Sequence, residues 1–272
     1  MPAFESFRDP ARLVLIAGPC VIESEQHVHR MVDAIAPLAA ENGFSYFFKA
    51  SFDKANRTSV SGYRGPGLKE GLRILAGIRR RGYSVLTDIH EPSQAGVTAE
   101  AVDILQIPAF LCRQTDLLLE AGRTGAIVNI KKGQFVAPHD MHYAAEKVAS
   151  TGNTKVVLTE RGSSFGYNNL VVDMRGLRVM AASGWPVVFD ATHSVQLPGG
   201  IGSASGGQPQ FIEPLASAAV AVGVSGIFVE VHDDPAHALS DGPNALRVDL
   251  LPRFLRRLRL MNEARLRAES NE

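Results

Sequence analysis

The chain has 272 residues, 45% of them hydrophobic and 21% charged, and Lys plus Arg equals Asp plus Glu at 28 each. That is globular composition, and the balance leaves no global field toward nucleic acid or an anionic membrane, so basic residues must act locally. Two cysteines, Cys20 and Cys112, cannot build a disulfide framework, no N-terminal stretch reads as a signal peptide, and no apolar run reaches about 18 residues. A cytoplasmic location without a membrane span is expected.

Short β-branched and apolar runs predict strands at 13–17, 44–48, 84–87, 104–107, 127–130, 156–159, 187–189 and 226–229. Helical periodicity fills several gaps, at 28–40, 68–80, 116–123, 139–150 and 211–222. Alternating β and α units imply a parallel sheet, and eight of them in about 270 residues favour a closed (β/α)8 TIM barrel over an open doubly wound sheet. The turn after the first strand is Gly18-Pro19-Cys20, which is no dinucleotide fingerprint. Without repeats or composition breaks, residues 1–272 read as a single catalytic domain. The basic amphipathic segment 253–261 fits the last barrel helix, apolar side inward, better than a nucleic-acid or membrane-surface helix.

Barrel active sites assemble at the carboxyl ends of the strands. Here those ends carry Cys20, Lys49, Asp88 with His90, Gln106, Lys131-Lys132, Glu160-Arg161, Asp190 with His193, and Glu230 with His232. Polar strand ends also cap helices, and a lone cysteine or histidine is usually scaffold. Closure of the barrel, however, puts the first strand beside the eighth and the eighth beside the seventh, so that Cys20, His193 and Glu230 converge, with Asp241 available as a fourth ligand. Thiolate, imidazole and carboxylate suit a divalent transition metal such as zinc, iron, manganese or cobalt without choosing among them. Cys112 lacks such neighbours and reads as packing.

Two cationic clusters follow from the same order: Lys131 with Arg161, and Lys49, Lys54 and Arg57. Arg57 precedes Thr58 and Ser59, a guanidinium plus hydroxyls on one loop, as phosphate recognition requires. The Gly-rich stretch LPGGIGSASGG at 197–207 lacks the ending of a P-loop and is either a flexible connector or a lid over the site.

The motifs GPC at 18–20, KASFDKANR at 49–57, DIH at 88–90, QIPAF at 106–110, RQTD at 113–116, KKGQF at 131–135, RGSSFGYNN at 161–169 and DATHSVQLP at 190–198 resemble, in order, the 3-deoxy-D-manno-octulosonate 8-phosphate synthase family. The resemblance runs from about residue 13 to residue 250. It implies a barrel, commonly a homotetramer, that joins phosphoenolpyruvate to D-arabinose 5-phosphate and releases phosphate, supplying lipopolysaccharide synthesis. It further implies that Lys131 and Arg161 hold the phosphoenolpyruvate phosphate, with Lys49, Lys54 and Gln106 about its carboxylate. Ser51, Asn56, Arg57, Thr58 and Arg113 would complete substrate binding, chiefly of the pentose phosphate. The family divides into metal-dependent and metal-independent groups. Cys20, Gly133 and SVQLPGG at 194–200 resemble the former, whereas DGPN at 241–244 resembles the latter. Cys20 carries more weight, because a thiolate changes the coordination chemistry directly.

On this reading C3 of phosphoenolpyruvate attacks a polarised pentose aldehyde, water captures C2, and the hemiketal phosphate collapses. Lys54, Asp88 and His193 are the expected catalytic groups, His193 also serving as a metal ligand with Cys20, Glu230 and Asp241. One rival is 3-deoxy-D-arabino-heptulosonate 7-phosphate synthase, which uses erythrose 4-phosphate; KANRT at 54–58 argues against it, since that family usually carries an Arg-Pro-containing motif there. Another is a non-catalytic sugar-phosphate-binding barrel, which would lose proton-transfer or metal groups that this chain retains.

Overall fold

The computed structural model describes residues 3–57, 59–199 and 206–270. Its centre is eight parallel strands whose aliphatic and β-branched residues suit a sheet buried on both faces. They are β1 (Val14–Gly18), β2 (Ser45–Lys49), β3 (Ser84–Asp88), β4 (Ile104–Ile107), β5 (Ile127–Lys131), β6 (Val156–Glu160), β7 (Val187–Asp190) and β8 (Gly226–His232). Each pairs with the next, and β8 pairs back onto β1 with Gly18 opposite Glu230, closing the expected (β/α)8 barrel. The ladders run slightly past the apolar runs, so that Lys49, Asp88, Lys131, Glu160 and Asp190 are themselves strand residues. Gly18 is required where β1 meets β2, since a Cβ there would stand 2.1 Å from the Lys49 carbonyl oxygen.

Among the described residues eight helices surround the barrel: α1 (Glu25–Glu41), α2 (Leu68–Arg80), α3 (Pro92–Ala101), α4 (Thr115–Arg123), α5 (Met141–Ala149), α6 (Met174–Ala181), α7 (Ile212–Val222) and α8 (Leu251–Glu269). Periodicity predicts six of these places and misses α3 and α6. Helix α3 buries only the small side chains of Ala95, Thr98 and Ala101, so it has no apolar stripe to read; a capping box between Glu91 and Gln94 starts it instead. Helix α6 buries only Gly176, Leu177 and Met180, so two apolar side chains are all its inward face offers to a reading by period. The basic C-terminal segment lies within α8, with Leu251, Phe254, Leu255 and Leu258 buried and Arg253, Arg256 and Arg257 outside. No helix among the described residues is long and apolar enough to cross a membrane.

Alternation along the strands sorts their residues into two cores. One lies between barrel and helices and includes the buried Cys112, which is packing as its surroundings in sequence imply. The other fills the amino-terminal half of the barrel with Val14, Ile16, Phe47, Leu86, Ile104, Ile127, Val157, Val188 and Phe228. A short 3-10 turn, Glu5–Phe7, stoppers it from below with Phe4 and Phe7, the Phe7 and Phe47 rings lying 5.1 Å apart. The same inward parity continued upward delivers the polar residues of the site.

Candidate active site

On β2 to β8 the strands turn polar two residues beyond the inward apolar side chain. Lys49 follows Phe47, Asp88 follows Leu86, Gln106 follows Ile104, Asn129 and then Lys131 follow Ile127, Thr159 and then Arg161 follow Val157, Asp190 follows Val188, and Glu230 follows Phe228. All are buried. Such groups are tolerated only when they satisfy one another. Here the Thr159 hydroxyl donates to Asn129 Oδ1 at 2.7 Å, Asn129 Nδ2 to Gln106 Oε1 at 2.8 Å, and Gln106 Nε2 to Asp88 Oδ1 at 2.5 Å; Ser51 Oγ donates to the other Asp88 oxygen. Motif reading missed Asn129 and Thr159, although polar residues at inward parity within apolar strands are a legible signal.

The cationic side of the rim lies on β5 to β7. Lys131 Nζ sits 2.7 Å from Asp190 Oδ2 and 3.9 Å from the centre of the Phe228 ring. Burial draws the Lys131 ammonium below the ordinary lysine range, with Asp190 working against it. Burial would raise the Asp190 carboxyl, yet His193 and Lys131 hold it well below its ordinary value. Asp190 also accepts the His193 backbone N–H at 2.9 Å and lies 2.8 Å from His193 Nδ1, making it the common anchor of two site residues. Arg161 Nη2 donates to Gln196 Oε1 at 2.7 Å, while its Nη1 is buried without a partner among the described residues. Gln196 and Leu197 pair with Gly206 and Gly207 at the base of the Gly-rich loop, and Asn244 Nδ2 donates to the Gly206 carbonyl at 3.2 Å. Residues 200–205 of the segment read as a connector or lid lie outside the described residues.

Opposite lies a thiol and carboxylate side. Cys20, Glu230 and Asp241 each offer one ligand atom within 4.8 Å of the others. The Cys20 thiol contacts Ser240 Oγ at 3.1 Å and Asp241 Oδ2 at 3.2 Å. Burial, reinforced by Asp241 and Glu230, pushes that thiol well above its ordinary range. Glu230 is depressed to about 2: burial opposes ionisation, but His193, Lys49 and Lys54 outweigh it. Asp241 itself has a φ of 50°, in the left-handed region that few non-glycine residues enter. His193 stands at the margin, its Nε2 3.6 Å from Glu230 Oε1. The set fits a divalent transition ion: Glu230 Oε2 is buried without a hydrogen-bond partner among the described residues, and Asp190 on Nδ1 leaves His193 Nε2 free to ligate.

Lys54 and Lys49 join the two sides. Lys54 Nζ lies 3.9 Å from Glu230 and 3.8 Å from Asp241. Its burial disfavours the charge, but the surrounding Cys20, Glu230, Asp241 and Asp88 push its pKa well above the ordinary value. Lys49 Nζ donates to the Cys20 carbonyl at 2.8 Å and to Glu230 Oε1 at 3.1 Å. Asp88 is held well below the usual carboxylate range, burial being outweighed by Lys49, Lys54 and Lys131.

A cavity of about 240 Å³ opens over this layer, and Lys54, Asn56, Arg57, Asp88, His90, Lys131, Arg161, His193 and Asp241 are in its wall. Arg57 Nη1 donates to Ser240 Oγ at 2.6 Å. Lys49, Ser51 and Gln106 lie beneath the lining, their polar atoms engaged internally. Arg113 is exposed and is not in the cavity wall of this chain; Thr58 lies outside the described residues. Lys132, adjacent to Lys131, takes the opposite parity and is buried behind the strands, 3.3 Å from Glu160.

A barrel with this rim defines a class, and the comparisons agree on it: the profile of the DAHP synthetase I family matches residues 8–267, and the chain belongs to that family. Within it the chain belongs with the 2-dehydro-3-deoxyphosphooctonate aldolases, another name for the 3-deoxy-D-manno-octulosonate 8-phosphate synthases. The protein of that name from Syntrophotalea carbinolica is 62% identical over 247 residues, 90% of this chain and 89% of its own length. Those from Koribacter versatilis and Citrifermentans bemidjiense are 61% and 57% identical, covering 93% and 92% of this chain and 92% of each relative.

Proposed function

We propose that the chain condenses phosphoenolpyruvate with D-arabinose 5-phosphate and water, giving 3-deoxy-D-manno-octulosonate 8-phosphate and inorganic phosphate. The enzyme is a transferase, and its product feeds lipopolysaccharide synthesis. Membership of the named group supports the reaction. The single structural observation that carries it is one cavity walled by Lys131 and Arg161 on one side and Asp241 and Lys54 on the other.

In this reading Lys131 and the open face of Arg161 clamp the phosphate of phosphoenolpyruvate, with Lys54 toward its carboxylate and Lys49 and Gln106 acting from below. Asn56 and Arg57, with Thr58, receive the pentose and its phosphate. Lys54, held at the cavity wall by Glu230 and Asp241, serves as proton donor to the aldehyde oxygen as the new carbon–carbon bond forms. Asp88 stays ionised and faces the positive character that develops at C2, where water adds before phosphate leaves. Cys20, Glu230, Asp241 and His193 would hold a divalent ion, of the zinc, iron, manganese or cobalt type. Bound there, such an ion supplies Lewis-acid polarisation of a carbonyl or water. One catalytic domain spanning 1–272 suffices, acting in a reducing cytoplasm that keeps Cys20 a thiol. Exposed Phe110, Phe135, Phe165 and Tyr167 offer apolar surface for subunit contact, and the assembly we propose is the homotetramer that the family resemblance implies.

Purified protein incubated with phosphoenolpyruvate and either D-arabinose 5-phosphate or erythrose 4-phosphate tests the reaction through phosphate release. Turnover with the pentose and none with the tetrose is expected; turnover with the tetrose alone contradicts the substrate assignment. Undiminished turnover after verified metal removal contradicts the metal assignment.

A further inference from the structure

A second group of metal-type donors lies beside the barrel seam, outside the machinery above. Glu23 follows β1, His27 stands in the first turn of α1, and His232 ends β8, and one ligand atom from each lies within 4.8 Å of the others. Both histidines are buried, at 3% and 5% exposure, which is unusual for two imidazoles in contact, their ring centres 4.6 Å apart.

The hydrogen-bond pattern leaves this group incomplete. His27 Nε2 bonds Asp233 Oδ1 at 3.0 Å, which makes it the protonated nitrogen and leaves Nδ1 with a lone pair. That Nδ1 is buried without a hydrogen-bond partner among the described residues and faces Glu23 Oε2 across 3.8 Å. Two acceptors therefore confront each other with no proton between them. The carboxylate of Glu23 also reaches His232, Oε1 lying 3.2 Å from Nε2.

We propose that Glu23, His27 and His232 form a second site for a divalent cation of the zinc class, with donors distinct from those of Cys20, Glu230 and Asp241. A cation placed among His27 Nδ1, Glu23 and His232 Nε2 converts the opposed lone pairs into ligands. Two imidazoles select zinc, cobalt or nickel over magnesium or calcium. Asp233 becomes the outer carboxylate that orients His27, an arrangement that metal-binding histidines generally have. Binding moves the His232 proton from Nε2 to Nδ1, where Asp233 Oδ1 lies 3.3 Å away, at the expense of the Asp234 N–H bond to Nδ1. Arg30, 3.4 Å from Asp233, is a cation that opposes the ion, and it is on the exposed side. The site would tie the loop after β1 and the start of α1 to the end of β8, across the seam where the barrel closes.

The test uses Cys20→Ser protein, so that thiolate ligation is absent, compared with the same protein carrying His27→Gln or Glu23→Gln. Each is stripped with a chelator, incubated with Zn²⁺, desalted and assayed for bound metal. Cys20→Ser is expected to retain zinc, and each added substitution to weaken that zinc at least about tenfold. With Co²⁺, Cys20→Ser should show weak visible bands without a sulfur charge-transfer band, and His27→Gln should abolish them. Absence of zinc from Cys20→Ser, or equal retention in all three proteins, overturns the proposal. Glu23→Gln keeps an acceptor for the Leu239 N–H, so it remains informative if His27→Gln does not fold. Turnover is not the readout, so the outcome is separable from that of the proposed reaction.

Discussion

The two sides of the cavity reach stability in opposite ways. On β5 to β7 the cations Lys131 and Arg161 outnumber the inward-facing carboxylate between them, Asp190, since Glu160 pairs with Lys132 behind the strands, and Arg161 keeps a nitrogen without a partner among the described residues. Around β1 to β3 and β8 the excess is acidic: three carboxylates, Asp88, Glu230 and Asp241, face two ammonium groups, Lys49 and Lys54, and Glu230 keeps an oxygen without a partner among the described residues. One side lacks an anion and the other a cation, and the cost of burying their charges is offset because opposite charges attract strongly within one layer. The difference underlies the proposed placement of the ligands, phosphate on the first side, metal and aldehyde on the second.

The largest expected effect comes from removing one member of the cationic side. Lys131→Met should lower kcat/KM about a thousandfold while leaving the circular dichroism unchanged, because it removes charge stabilisation at the departing phosphate. Phosphate-release kinetics read this directly. A loss below about tenfold would mean that phosphate is held elsewhere.

Phe7→Ala separates the whole polar layer from its support. It opens the apolar stopper below the site and should cost about 3–5 kcal/mol in urea unfolding, with kcat nearly unchanged at temperatures where the protein stays folded. Loss of kcat without loss of stability would place Phe7 in the chemistry.

Asp88 links the sides and gives a pH signature. Its folded pKa is depressed, so its contribution is complete above the unfolded value of about 3.9 and is lost as pH falls through the folded value. The stability advantage of the wild type over Asp88→Asn should therefore shrink as pH drops below about 4. A gap independent of pH would show that Asp88 acts only through shape. Thr159→Val should be mildest, costing about 1 kcal/mol by orphaning Asn129 Oδ1, with a few-fold change in KM.

Legibility in the sequence followed the same division. The eight strands and their order could be read because each is a short apolar run bounded by turn residues, and closure then followed from count and length. The sequence also pointed to Cys20, Lys131, Arg161, His193, Glu230 and Asp241, since all lie at or after strand ends where barrel chemistry gathers. Helix α3 was illegible because Ala95, Thr98 and Ala101 make no apolar stripe. Asn129 and Thr159 were passed over because they sit inside strands, where a β-branched or amide residue looks like scaffold. Arg113 matched a motif, yet motif membership carries no information on which way a side chain faces, and it is exposed here. The anchoring role of Asp190 became visible only with Lys131 and His193 both within reach of its carboxylate.

Calorimetric binding of phosphoenolpyruvate to wild type, Lys131→Met and Cys20→Ser tests the division of the cavity most directly. Lys131→Met should weaken binding about a hundredfold and Cys20→Ser by less than about threefold, since a charge-assisted phosphate contact is lost only in the first. Equal weakening in both, or a larger effect from Cys20→Ser, would contradict it.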